Sequence, residues 1–179
     1  MKGKGTSLTK KVILACAIAL AIVAVIGIAV HYILIPHSPT EYMRQHQYKK
    51  AILKITLEIM RQPDNPTLYY NRGIAYMMDK QYDNALKDYS KAIALRPDGA
   101  AYQNKALVHF YLGHYDEAIK VNTQGIQLAP HNGMLYYNRG RAYFMKGQKK
   151  EALEDFKKAY SLGIEPARTF IHNITKALK

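Results

Sequence analysis

The chain has a single cysteine, Cys16, among 179 residues, so no internal disulfide can staple the fold. Its first 35 residues contain no aspartate or glutamate. There is no GxSxG nucleophile turn, no HExxH helix and no GxxxxGK[ST] phosphate loop. The sequence marks of serine acyl transfer, zinc hydrolysis and nucleotide-driven work are therefore missing. No CxxC or CxxCH occurs, which leaves no pattern for a thiolate zinc site or covalently attached haem. The seven histidines, His31, His37, His46, His109, His114, His131 and His172, form no i, i+4 pair. The sequence thus predicts no enzyme, no metal site and no cofactor.

What is present divides into two unlike pieces. Residues 1–11 are a basic tail carrying Lys2, Lys4, Lys10 and Lys11, and residues 12–35 are a long run without a formal charge. As a helix that run reaches ~36 Å, enough to cross a ~30 Å hydrocarbon layer with some tilt. A cleaved signal peptide has an apolar core of about 7–15 residues before a small-residue cleavage site. This run is longer and ends in Ile33, Leu34, Ile35 and Pro36. A lipid-modified Cys16 after Ile13, Leu14 and Ala15 would leave only residues 12–15 as the apolar core. An uncleaved single-pass anchor is the expected reading, with Cys16 a small side chain on it. Four lysines on the N-terminal side keep that end in the cytoplasm. The C-terminal domain is then expected outside it, and in a bacterium this means the periplasmic side of the inner membrane.

Residues 36–179 hold the other 22 basic residues and all 13 acids, a balance of +9 within a total of +13. They suffice for one compact domain. The string LYYNRGIAY from Leu68 returns as LYYNRGRAY from Leu135, with AYQNKALVH from Ala101 midway between them. YDNALKDYSKAIALRP from Tyr82, YDEAIKVNTQGIQLAP from Tyr115 and KKEALEDFKKAYSLGI from Lys149 recur likewise. Ala51, Ala85, Ala118 and Ala152 follow one another in steps of 34, 33 and 34, and Pro63, Pro97 and Pro130 in steps of 34 and 33.

This period, with its paired helical patterns, resembles the tetratricopeptide repeat, a helix–turn–helix unit of about 34 residues. Residues 66–99 carry the motif as Tyr69, Gly73, Tyr76, Ala85, Tyr89, Ala92 and Pro97. Residues 133–165 carry it as Tyr136, Gly140, Tyr143, Ala152, Phe156 and Ala159, with Ile164 in place of the closing proline. Residues 100–132 keep Tyr102, Ala118 and Pro130 but depart at Ala106, His109, Asn122 and Gly125. The resemblance implies an all-α solenoid of three full repeats. A partial helix pair over 36–65 leads it, and a capping helix over 166–179 closes it.

Small residues on each helix allow close approach, and the rings fill the remaining space. Asn65 with Pro66, and Asp98, supply helix starts. Gly113 and Gly147 suit left-handed caps, and Ser38-Pro39-Thr40-Glu41 reads as a capping box. In the last helix Phe170, Ile171, Ile174, Ala177 and Leu178 are expected to cover the edge of the third repeat, with Lys176 and Lys179 in water. Repeat stacks need such caps. His109 replaces a core tyrosine and is expected to be a satisfied packing residue.

A solenoid of this family presents a groove walled by the first helix of each pair. Asn71, Asn104 and Asn138 recur there at one position. They are similar to the asparagine ladder in the superhelix of O-GlcNAc transferase, which grips a peptide backbone. An amide pairs with a peptide group without reading its side chain. The alternative is that each Asn bonds a neighbouring helix or water. Tyr70, Gln103 and Tyr137 adjoin the amides. Ile74, Met77 and Met78, then Leu107, Phe110 and Tyr111, then Arg141, Phe144 and Met145 continue the face, a composition suited to protein contact. The carboxylate-clamp variant of the family is not expected, because Thr67, Ala100 and Met134 stand where a clamp lysine would help.

Arg44, Lys49, Lys50 and Lys54 are close enough in sequence to the apolar run to meet anionic head groups, or form a solvated basic face. Acids interleaved with bases, as in Lys87-Asp88 and Glu154-Asp155, suggest a solvated outer face. The reading is a membrane-anchored scaffold or adaptor that binds a segment of a partner protein, within a larger envelope complex. One alternative is a stabilising subunit held by its anchor and outer face with an empty groove. Another is an electrostatic tether to an acidic polymer or lipid. Nucleic acid and small-molecule substrates are not expected.

Overall fold

A computed structural model describes residue 13 and residues 38–177. The basic tail, the apolar run apart from Ile13, and the terminal Leu178 and Lys179 lie outside the described residues, and with them the anchor, its orientation and Cys16. Among the described residues no helix is long and apolar enough to cross a membrane. The chain divides into two units, Met1–Ser38 and Pro39–Lys179, and the second carries the fold.

This unit is all-α among its described residues. A short helix, α1 (Pro39–Arg44), precedes α2 (Tyr48–Arg61). Three helix pairs follow: α3 (Pro66–Met78) with α4 (Tyr82–Leu95), α5 (Gly99–Tyr111) with α6 (Tyr115–Leu128), and α7 (Gly133–Met145) with α8 (Lys149–Ser161). The last helix is α9 (Ala167–Ala177). Each helix packs on the next, most extensively within a pair, and α3, α5 and α7 also touch along one side.

The first helix of each pair starts on a side-chain cap. Asn65, Asp98 and Asn132 accept from the backbone amides of Thr67 (3.1 Å), Ala100 (2.7 Å) and Met134 (3.1 Å), which satisfies donors the helix leaves open. The turn inside each pair follows one pattern, a residue in the left-handed region and a six-to-one backbone bond. Gly113 and Gly147 fill that place at φ 75° and 77°, whereas the first pair has Lys80 at φ 60°. The bonds are Gln81 N to Tyr76 O (2.8 Å), His114 N to His109 O (2.9 Å) and Gln148 N to Tyr143 O (2.9 Å).

Within a pair, a small residue on the first helix meets a ring on the second. A Cβ placed on Gly73 would lie 2.8 Å from the Tyr89 ring, and one on Gly140 would lie 3.2 Å from the Phe156 ring. Both rings are fully buried, and burial pushes the Tyr89 phenol above its ordinary range. The middle pair solves the same contact differently. Ala106 adds a methyl where the others have glycine, and Asn122 is shorter where they have a ring, and both are buried. The departures at Ala106 and Asn122 therefore compensate one another in volume. The exchange leaves a mark: Asn122 Nδ2 donates to Ala118 O at 2.9 Å, while its buried Oδ1 has no partner.

The far end is closed by α9, whose Phe170 stacks on Phe156 with ring centroids 4.5 Å apart. Ile171 and Ile174 pack into the same cluster. Ala177, expected to join them, is exposed, because the cluster ends one turn earlier at Ile174.

The volume exchange predicts a thermodynamic cycle. Asn122→Phe alone should cost about 1–3 kcal/mol by crowding Ala106. Adding Ala106→Gly should recover that loss, giving a coupling of about 1–3 kcal/mol in urea unfolding. Lys80→Gly should stabilise the domain by about 1 kcal/mol, since it relieves a left-handed side chain, and the midpoint of thermal unfolding reads this out.

Candidate protein-binding groove

The wall formed by α3, α5 and α7 holds the residues that the repeat pattern singled out. Asn71 lines two adjoining cavities. One, of about 250 Å³, lies among Thr67, Tyr70, Asn71, Arg96, Asp98 and Ala100. The other, of about 240 Å³, lies among Pro39, Thr40, Met43, Ile55, Asn71 and Ile74. The other two amides are placed otherwise. Asn104 Nδ2 donates to the Tyr70 hydroxyl at 3.1 Å, a bond between successive repeats, and Asn138 is only 6% exposed. Gln103 Oε1 accepts from Asn132 Nδ2 at 3.5 Å.

The apolar residues divide in the same way. Tyr70, Ile74 and Met77 pack against Ala85, Tyr89 and Val108. Tyr137 packs on Phe156 and on Phe170, with centroids 5.7 Å and 6.0 Å away. Leu107 and Phe110 are half-buried. Met78, Tyr111, Phe144 and Met145 are exposed. Arg141 spreads its guanidinium 4.3 Å over the Phe110 ring and 5.9 Å from that of Tyr137, fixing a cation on the wall between two repeats. Burial, and then the carboxylate of Asp98, push the Tyr70 phenol upward, so it stays neutral as the acceptor for Asn104.

Two buried ties behind the wall form no part of the repeat-motif reading. Arg72 Nε and a terminal guanidinium nitrogen donate to Asp88 at 2.7 Å and 2.8 Å, and its other terminal nitrogen donates to Thr56 Oγ1 at 3.1 Å. Arg139 repeats this with Asp155 (2.8 Å twice) and Thr123 (3.0 Å). Each tie joins a first helix to its own second helix and to the second helix before it. The aspartate in turn raises the Arg72 and Arg139 pKa values through the hydrogen bonds. Asp88 and Asp155 are buried, which corrects their assignment to a solvated outer face: their guanidinium partners offset part of the cost of burying the charge, and at Asp155 burial still raises the pKa against the opposing pull of Arg139. Thr123, Arg139 and Asp155 stand two repeats after Thr56, Arg72 and Asp88, all three at one identical offset, and that triple coincidence is the signal that marks them.

The middle repeat lacks a tie. Lys105, Val121 and Ser90 occupy the corresponding positions. Burial and the nearby Lys120 lower the Lys105 pKa. One turn on, His109 corrects a second expectation, since its buried Nδ1 has no partner. Burial, then the Lys105 charge, depress the His109 pKa below 6.5; Glu117 opposes this and His114 adds to it.

Of the basic residues flagged for lipid contact, Arg44 bonds Glu41 at 2.5 Å, Lys50 lies 5.8 Å over the Tyr42 ring, Lys49 is exposed and Lys54 half-buried. Among the described residues no group of His, Cys, Asp and Glu is arranged to hold a metal.

Comparison with known proteins agrees with this architecture. Tetratricopeptide repeat profiles match residues 66–98 and 104–167, together more than half of the chain. Human tetratricopeptide repeat protein 13 is 34% identical over 121 residues, 64% of this chain and 14% of its own length. The Saccharomyces cerevisiae small glutamine-rich tetratricopeptide repeat-containing protein 2 is 35% identical, covering 60% of this chain and 30% of its own. Hsp70-Hsp90 organizing protein 2 of Arabidopsis thaliana is 33% identical over 51% of this chain and 16% of its own. The chain thus spans under a third of each of these three relatives. Among solved structures, MamA superposes with a TM-score of 0.66 at 28% identity, over 73% of this chain and 77% of that one. The first repeat domain of Spaghetti, bound to the HSP90 peptide SRMEEVD, has a TM-score of 0.61 at 23% identity, over 63% of this chain and 92% of that one.

Removing one partner of a buried tie strands the other, so Asp88→Ala and Asp155→Ala should each cost about 3 kcal/mol in urea unfolding. His109 contributes stability that is fully present above its unfolded value of 6.5 and is lost as pH falls through the depressed folded value. The unfolding free energy should therefore drop as pH is lowered from about 7.5 through the ordinary histidine range. His109→Tyr, which restores the ring found at Tyr76 and Tyr143, should remove that part of the drop.

Proposed function

Since this chain belongs to the tetratricopeptide repeat family, we propose that its groove binds an extended segment of a partner protein. The observation that carries the reading is the pair of cavities that share Asn71. Each is smaller than the roughly 300–1,000 Å³ typical of small-molecule sites, a size suited to single side chains. A strand of peptide crossing Asn71 would lower one side chain into each cavity. The Asn71 amide, which can donate and accept, would meet the peptide group between them. Arg141 over Phe110, with exposed Met78, Tyr111, Phe144 and Met145, would continue the contact along the wall. One fold neighbour, the first repeat domain of Spaghetti, is itself bound to an HSP90 peptide.

Arg96 is the one cation lining the first cavity, the acid Asp98 lines it too, and Thr67 and Ala100 carry no charge. This favours recognition of a mainly apolar segment over capture of an acidic chain terminus. We extend the reading to a membrane-anchored chain: the charge-free run at 12–35 is long enough to span a bilayer, and the four lysines before it favour placing the repeats on the extracytoplasmic side, where the partner would be held in an envelope complex. The wall is preformed by packed helices, so little of its own freedom is lost on binding.

Peptides selected from a displayed random library against the full chain test the groove. Asn71→Ala should weaken the selected peptides about tenfold, the worth of a hydrogen bond or two at ~1.4 kcal/mol. Lys91→Ala on the outer face should leave them unchanged. Equal binding to the Asn71→Ala protein would sink the groove reading.

A further inference from the structure

The outward side of α2 differs from that of every other second helix. Ala51, Ile55 and Ile59 face inward and are buried, while Leu53, Leu57 and Met60 are 63%, 52% and 76% exposed. The repeat register gives their counterparts. In α4 they are Lys87, Lys91 and Ala94; in α6 they are Lys120, Gln124 and Gln127; in α8 they are Glu154, Lys158 and Ser161. All nine are exposed, although α4 and α6 have repeats on both sides. A missing neighbour therefore does not explain the apolar character of the α2 face: these positions point away from the stack in any repeat. Three large apolar side chains stand where the fold elsewhere puts mostly charge and amide.

The rim of this stripe is basic. At about 100° per residue, Lys49 flanks it on one side and Lys50, Lys54 and Arg61 on the other. The helix contains one acid, Glu58, and it lies beyond Lys54, away from the stripe. An exposed apolar stripe bordered by lysine and arginine is the pattern of a helix lying in the head-group layer of a bilayer, with its apolar side chains sunk about 5–10 Å. A water-soluble partner surface would not require a rim of one sign. The sequence adds continuity, because the charge-free run ends at residue 35 and α2 begins at Tyr48.

The geometry points to the outward face of α2 as a docking surface for an anionic phospholipid bilayer, with Leu53, Leu57 and Met60 inserted and the four cations on phosphates. The inference rests on the proposal that the chain is anchored in a membrane, and adds that the repeat unit lies down on it. The groove wall is built from the other helix of each pair, so lipid contact through α2 leaves it open to a partner.

The test uses the full chain, with Cys16→Ser, in vesicles of phosphatidylcholine with or without phosphatidylglycerol. An environment-sensitive fluorophore is attached at Leu57→Cys or, as the counterpart, at Gln124→Cys. In anionic vesicles the probe at 57 should shift to the blue and be quenched by brominated acyl chains, while the probe at 124 stays in water. Lys50→Glu, Lys54→Glu and Arg61→Glu together should return the probe at 57 to water. A probe at 57 as wet as that at 124 in anionic vesicles would overturn the inference, as would equal burial when every lipid is zwitterionic. Flotation after alkaline carbonate reports the anchor separately. A chain that floats with a wet position 57 removes this inference alone, whereas a chain that washes off removes the anchoring proposal.

Discussion

The buried guanidinium ties set the geometry on which the rest of this solenoid depends. A repeat stack has no global core. Each pair is held by its neighbours, and the angle between pairs decides whether the first helices line up as a wall. Arg72 and Arg139 each reach three helices at once, through two bonds to an aspartate and one to a threonine. A guanidinium fork suits this because its donors are fixed in one plane. Hydrophobic burial of alanines and rings would tolerate some sliding; a bidentate pair in a low-dielectric setting does not.

The wall inherits its division of labour from this framework. Tyr70 and Tyr137 turn back onto the rings behind them, so they support the surface more than they form it. Asn104 joins one repeat to the next, and Asn138 is enclosed. The exposed apolar residues gather at the C-terminal ends of α3, α5 and α7, where Met78, Tyr111 and Met145 lie. The two cavities that share Asn71 instead lie at the N-terminal side, beside the short α1. The two cavities and the exposed methionine and aromatic side chains thus occupy opposite ends of the same wall.

Much of this was legible in the sequence. The regular repeat step, the alanines at 51, 85, 118 and 152 and the glycines at 73 and 140 encode helix pairs and their close crossings, because those constraints are local in register. Gly113 and Gly147 likewise announce the left-handed turn, but Lys80 hides it: nothing in a lysine advertises a positive φ. The three asparagines share one register yet meet three environments, since their surroundings are set by neighbours that differ from repeat to repeat. Asp88 and Asp155 looked like surface acids when read beside their adjacent bases; only the pairing with Arg72 and Arg139, 16 residues earlier in the chain, reveals them as interior. The outward stripe of α2 was invisible to a search for basic residues alone, because its meaning comes from comparison with the same positions in α4, α6 and α8.

Lys105 carries a further consequence. Its two counterparts are clamped, whereas it has Val121 in place of an acid, so buried ionic ties brace the repeats on either side and the middle one has none. A single carboxylate at position 121 would complete a third tie; as the chain stands, a half-buried amine takes the place of a clamp.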